Sequence, residues 1–116
     1  MDHDQIDALR RHPAWRLLAA DTAPLALTVL RRTFVDQPNG PMPEVELVSR
    51  VDDALYEVAR THPDRYPRPA LQYVRDWAGH DRAWLRAFYL TGSDERHYDV
   101  TPAVEKAVKA AAAAAR

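Results

Sequence analysis

The sequence predicts a mainly α domain with a small β-hairpin: a winged helix-turn-helix with extra N-terminal helices and a C-terminal helix. Three observations predict it. Glu44–Ala59 places Leu47, Val48, Val51, Ala54, Leu55 and Val58 on one helical face and leaves its charged residues to water. A proline-punctuated turn, Thr61–Pro69, leads to a second helical segment whose apolar side is Ala70, Leu71, Val74, Trp77 and Ala78. After Gly79 the pattern changes to aromatic, β-favouring runs, Trp84–Leu90 and Arg96–Val100, separated by the turn Thr91-Gly-Ser-Asp-Glu95. Helix, turn, helix and hairpin in that order make a winged helix.

The remaining elements follow in chain order. Asp4–Arg11 reads as a short amphipathic helix with Ile6 and Leu9 inward, closed by Pro13. Trp15, Leu17 and Leu18 form a second apolar turn against the core. Arg10, Arg11 and Arg16 nearby read as a solvated face, although such a cluster also resembles a phosphate-binding patch. Asp21 or Thr22 is placed to cap a helix over Ala23–Val35, with Pro24 tolerated in its first turn. This helix has two apolar stripes, Leu27, Leu30 and Phe34 on one side and Leu25 with Val29 on the other. Two stripes ask for two burial partners, the second being either the N-terminal helix or another subunit. Asp36–Pro43, with three prolines and an Asn-Gly pair, reads as a loop.

Thr101 and Pro102 restart a helix as cap and first helical residue, with Glu105 near its positive end. The helix runs to Ala110 and passes into Ala111–Ala115 with Arg116, which specifies no surface and has no stop signal. Residues 1–106 are thus expected to form the domain. Residues 107–116 are an alanine-rich helical end, a truncation point or an artificial terminus.

Composition narrows the functional classes. At 116 residues, 47% hydrophobic and 28% charged, the chain suits one globular domain. Without cysteine there is neither a disulfide framework nor a thiolate metal site. The polar start and the lack of a long apolar run point to a cytoplasmic protein without membrane contact. The five histidines are scattered with no two-ligand helical spacing, Asp52 and Asp53 diverge on a helix, and the three glycines form no phosphate loop. Ser49 and Ser93 lack a nucleophile-elbow setting. No catalytic, cofactor-binding or metal-ligating residue is assigned, and the expectation is a non-enzyme without cofactors.

A DNA-reading winged helix would present its second helix to the major groove, here with Arg68, Gln72 and Arg75 as candidate contacts. The charge is discouraging. The whole chain carries a net charge of −1. From Arg60 to His97 the arginines outnumber the carboxylates by only two, and the wing tip carries Asp94 and Glu95. Trp77, Trp84, Phe88, Tyr89 and Tyr98 are assigned mainly to core packing rather than base stacking.

Several stretches also resemble a known family. Asp4-Gln-Ile-Asp-Ala-Leu-Arg-Arg-His-Pro-Ala-Trp-Arg-Leu-Leu18, Glu46-Leu-Val-Ser49, Tyr66-Pro-Arg-Pro-Ala70, Asp76-Trp-Ala78, Gly92-Ser-Asp94 and Asp99-Val-Thr-Pro-Ala-Val-Glu-Lys106 are similar, in order, to the JetA family. These are MukF-like kleisin subunits of bacterial Wadjet anti-plasmid systems, relatives of condensin. The resemblance covers the chain to about Lys106 and departs at the alanine-rich end. It implies a non-catalytic N-terminal winged-helix domain that homodimerises and joins two SMC motor complexes. The rest of a full-length chain would bind the SMC and KITE subunits, and DNA would be met through the assembled, nucleoid-associated, loop-extruding complex. On that reading Trp15, Leu18, Leu25 and Val29 are the candidate dimer contacts, and charged substitution at Leu25 and Val29 is expected to abolish pairing without unfolding. The alternative is a DNA-binding winged-helix module or transcriptional regulator using Arg68, Gln72 and Arg75.

Overall fold

A computed structural model describes residues 2–38 and 40–114. Met1, Asn39, Ala115 and Arg116 lie outside the described residues, and with them half of the Asn-Gly pair and the last two positions of the alanine-rich end. The described chain is mainly helical with a small antiparallel sheet, as the sequence predicts.

Helix α1 (His3–Leu9) begins one residue earlier than expected because Asp2 and Gln5 form a reciprocal cap. The Asp2 carboxylate accepts the Gln5 N–H at 2.9 Å, and the Gln5 side chain accepts the Asp2 N–H at 3.0 Å. Helix α2 (Pro13–Ala19) starts on its proline, with His12 Nδ1 accepting the Ala14 N–H at 3.1 Å. Helix α3 (Ala23–Leu30) continues into a π-helical turn, Arg31–Val35, in which the Asp36 N–H bonds the Arg31 carbonyl at 2.8 Å. The expected cap does not form: Thr22 stands at the cap position, but neither it nor Asp21 bonds the first turn. The Thr22 backbone (φ −90°, ψ 5°) departs from the extended geometry from which a capping hydroxyl reaches back.

The winged helix follows: strand β1 (Met42–Pro43), helices α4 (Glu44–Ala59) and α5 (Ala70–Trp77), then strands β2 (Leu85–Tyr89) and β3 (Arg96–Val100). The sheet order is β1-β3-β2, and every pairing is antiparallel. Register runs from Leu85 opposite Val100 to Tyr89 opposite Arg96, with Met42 opposite Tyr98 on the other side of β3. β1 corrects the reading of Asp36–Pro43 as all loop. Two residues are too few to show a period, and Pro43 is tolerated because β1 is an edge strand.

Helix α6 (Pro102–Ala114) packs on α2 and α3. Its Ala103, Val104, Ala107 and Val108 are buried, so the first turn beyond Lys106 belongs to the core. Thr101 is used differently from a simple cap. Its hydroxyl donates to the Ala83 carbonyl at 2.7 Å, tying the start of α6 to the residue before the hairpin. One core unites Leu17, Leu25, Val29, Leu30, Leu47, Val51, Val74, Trp77, Trp84, Tyr98 and Val104. Trp84 adds a tether to α2, its indole N–H donating to the Pro13 carbonyl at 3.2 Å.

Candidate interaction surfaces

Two surfaces remain once the core is assigned. The first is built by the N-terminal helices. Every described residue of α1 is exposed, including Ile6 (47%) and Leu9 (39%), which corrects the expectation that both point inward. α1 is short and capped on itself, and no other element packs extensively against it. In α2 only Leu17 enters the core, at 0% exposure, pressed in where α2 meets α6. Trp15 (46%) and Leu18 (39%) face outward. Ile6 with Leu9, and Trp15 with Leu18, are each three residues apart, so each helix presents one apolar edge.

Leu25 and Val29, the other candidate dimer contacts, are in the wrong place for that role. They are 1% and 4% exposed. Leu25 borders a groove with Ala54 and Val58 of α4, and Val29 borders another with Ala54. Leu27, on the opposite stripe, borders a groove with Val108 and Ala111 of α6. Both stripes of α3 are therefore covered inside one chain, by α4 and by α6. Neither of the two anticipated coverings, the N-terminal helix or another subunit, is the main one, because a pattern of two stripes counts neighbours without naming them.

The second surface is the outward side of α5 and the wing. Arg68 and Gln72 are exposed there, together with Leu71 (40%), which the sequence assigns to the apolar side. Tyr73 takes the inward place instead, its hydroxyl oxygen accepting the Arg68 backbone N–H at 3.2 Å. Arg75 is already engaged. Its Nε and Nη2 donate to the two carboxylate oxygens of Glu44 at 3.0 and 3.1 Å, a two-pronged ion pair between α5 and the start of α4. The buried Tyr98 hydroxyl also donates to Glu44. The Arg75 guanidinium, helped by Tyr98, holds the Glu44 carboxyl below its ordinary pKa despite partial burial. Burial and the adjacent carboxylate push the Tyr98 phenol up. Arg75 thus fixes α5 to the start of α4, which Tyr98 in turn ties to β3, instead of offering a free fork to a base edge. The partners are 31 residues apart in sequence, so no local pattern could have signalled this pair.

Of the five aromatics assigned mainly to packing, Trp77, Trp84 and Tyr98 are fully buried and Phe88 is half-buried, whereas Tyr89 is 59% exposed on β2. The wing tip holds Asp94 and Glu95 in water. No described helix is long and apolar enough to cross a membrane.

Comparison with known proteins fits one family. A relative from Mycolicibacterium smegmatis, described as an uncharacterized protein, is 48% identical over 109 residues. The match takes in 92% of this chain but only 23% of that relative, so the chain spans about a quarter of the longer protein's length. Residues 7–116 match the family described as protein of unknown function (DUF3375). With nearly its whole length matched, this winged-helix chain belongs to the DUF3375 family.

Proposed function

We propose that this chain is a non-catalytic dimerisation domain: the N-terminal winged helix of a MukF-like kleisin in a condensin-like, Wadjet-type SMC complex, where pairing joins two SMC motor complexes. The observation that carries the pairing is the exposure of Ile6 and Leu9 on α1 and of Trp15 and Leu18 on α2. The JetA-like stretches noted in the sequence give the kleisin assignment. The greater length of the M. smegmatis relative leaves room for segments that would bind the SMC and KITE subunits. On this reading the domain works in the cytoplasm, at the nucleoid, and needs no cofactor.

Light scattering on the chain over a range of concentrations tests the pairing. A dimer is expected, and Ile6→Glu with Leu18→Glu is expected to give a folded monomer. Losing two apolar anchors at about 2 kcal/mol each weakens pairing roughly a thousandfold. A doubly substituted protein that stays dimeric shows the wrong surface has been chosen, and a wild-type monomer at all concentrations removes the reading.

The DNA-reading alternative has less support, because Arg75 is committed to Glu44 and only Arg68 and Gln72 of its three candidates are unencumbered. DNA titration at two salt concentrations separates the readings: a regulator would bind tightly with a steep salt slope.

A further inference from the structure

The corner between α2 and α3 faces the turn between α4 and α5 across a cleft of about 520 Å³. Its walls are unusually rich in hydrogen-bond donors. Arg65, Arg68 and Arg82 line it, each with a guanidinium that donates and never accepts. Arg82 is partly used, paired with Asp76 at 3.4 Å and lying 5.1 Å over the Trp84 ring. Arg65 lies 5.4 Å over the Tyr66 ring, and among the described residues neither Arg65 nor Arg68 is in an ion pair.

Two hydroxyls add to the surplus. Tyr73 accepts the Arg68 N–H with its oxygen and keeps its own proton to donate. The Thr22 hydroxyl oxygen is buried and has no hydrogen-bond partner among the described residues. On the acceptor side are Asp76, already facing Arg82, and the exposed Asp21, which is in no described ion pair. A buried, unsatisfied hydroxyl costs stability and persists more readily where a ligand can satisfy it.

We propose that this cleft binds a phosphate group, held by Arg65 and Arg68 and reached by the Thr22 and Tyr73 hydroxyls. The inference does not rest on the pairing reading, since none of these residues is on the α1–α2 edge. Phosphate matches the walls better than a single carboxylate does, because it brings three or more acceptor oxygens to several donors arranged around one volume. The phosphate can come from a small phosphorylated molecule such as a mononucleotide, or from the DNA backbone passing the helix-turn-helix turn.

The test is an NMR titration of the ¹⁵N-labelled chain at low ionic strength with inorganic phosphate, adenosine monophosphate and a short DNA duplex. Saturable amide shifts are expected at Thr22, Arg65, Arg68 and Tyr73. Arg65→Gln with Arg68→Gln should raise the Kd roughly tenfold or more per arginine, with the rest of the spectrum unchanged. Thr22→Val keeps shape and removes the hydroxyl; it should weaken phosphate binding while leaving the free protein as stable as before or more so. Tighter binding of the mononucleotide than of phosphate identifies a small-molecule site. Tighter binding of DNA, through the same amides and with a steep salt slope, identifies a backbone contact. Shifts that do not saturate, or that survive the double arginine substitution, overturn the proposal.

Discussion

Helix α3 buries five of its eight residues between α4 and α6, whereas α1 buries none of its seven. Both carry leucine and a second large aliphatic at helical spacing. The difference lies in their neighbours. The chain brings α4 back along one side of α3 and α6 along the other, so each stripe meets a partner. α1 packs extensively against none of these layers, and its one-sided stripe stays exposed. Burial follows from topology as much as from apolar pattern, and an apolar edge left open is where a second molecule has most to gain.

The largest expected effect probes the closed side of this contrast. Leu25→Ala should lose about 3 kcal/mol of unfolding free energy, because its side chain is fully enclosed and the cavity cannot refill completely. Urea unfolding measures it. A loss under about 1 kcal/mol would mean that Leu25 is not a core residue and that the two helices differ less than the fold implies. The same geometry explains why charged residues at Leu25 and Val29 would unfold the chain before they could report on pairing.

Glu44 is the intermediate case, a charged group only partly withdrawn from water. Glu44→Gln should cost about 1 kcal/mol near neutral pH, since Tyr98 can still donate to the amide oxygen and Arg75 is half-exposed. The pH dependence gives the sharper reading. Glu44 has a lower pKa folded than its ordinary 4.5, so its contribution is complete above that value. It is then lost as pH falls through the folded-state pKa. Urea midpoints of wild type and variant should therefore converge in acid and stay apart above about pH 5. A gap that does not depend on pH would show that the carboxylate's charge is not what holds α5 to α4.

How far the sequence speaks for itself differs along the chain. α4, α5 and the hairpin are legible because their periods are long enough to count, and the turn at Thr91–Glu95 is marked by composition. β1 is illegible because two residues carry no period, and its pairing partner β3 lies more than fifty positions away. The π-helical turn at Arg31–Val35 leaves no local mark either, since its residues fit an ordinary helical stripe. For the candidate surfaces, Trp15 and Leu18 could be picked from the sequence, but Ile6 and Leu9 could not be told from core residues. Exposure is decided by what packs above, and single-sequence pattern is silent on that. Arg75 is missed for the same reason: its chemistry is visible but Glu44, which consumes it, is distant.

The smallest expected effect probes the open side. Ile6→Ser with Leu9→Ser should change the stability of dilute, monomeric protein by no more than about 0.5 kcal/mol per site, because both side chains are exposed and neither belongs to the buried core. A loss well beyond that would place α1 against its own core and erase the contrast with α3. Concentration then supplies the second reading. If the edge pairs two copies, wild-type stability rises with protein concentration, since association draws the folded state forward by mass action. The serine variant should be concentration-independent over the same range. Equal concentration dependence in both proteins would move the pairing surface away from α1 while leaving the monomer's architecture as described.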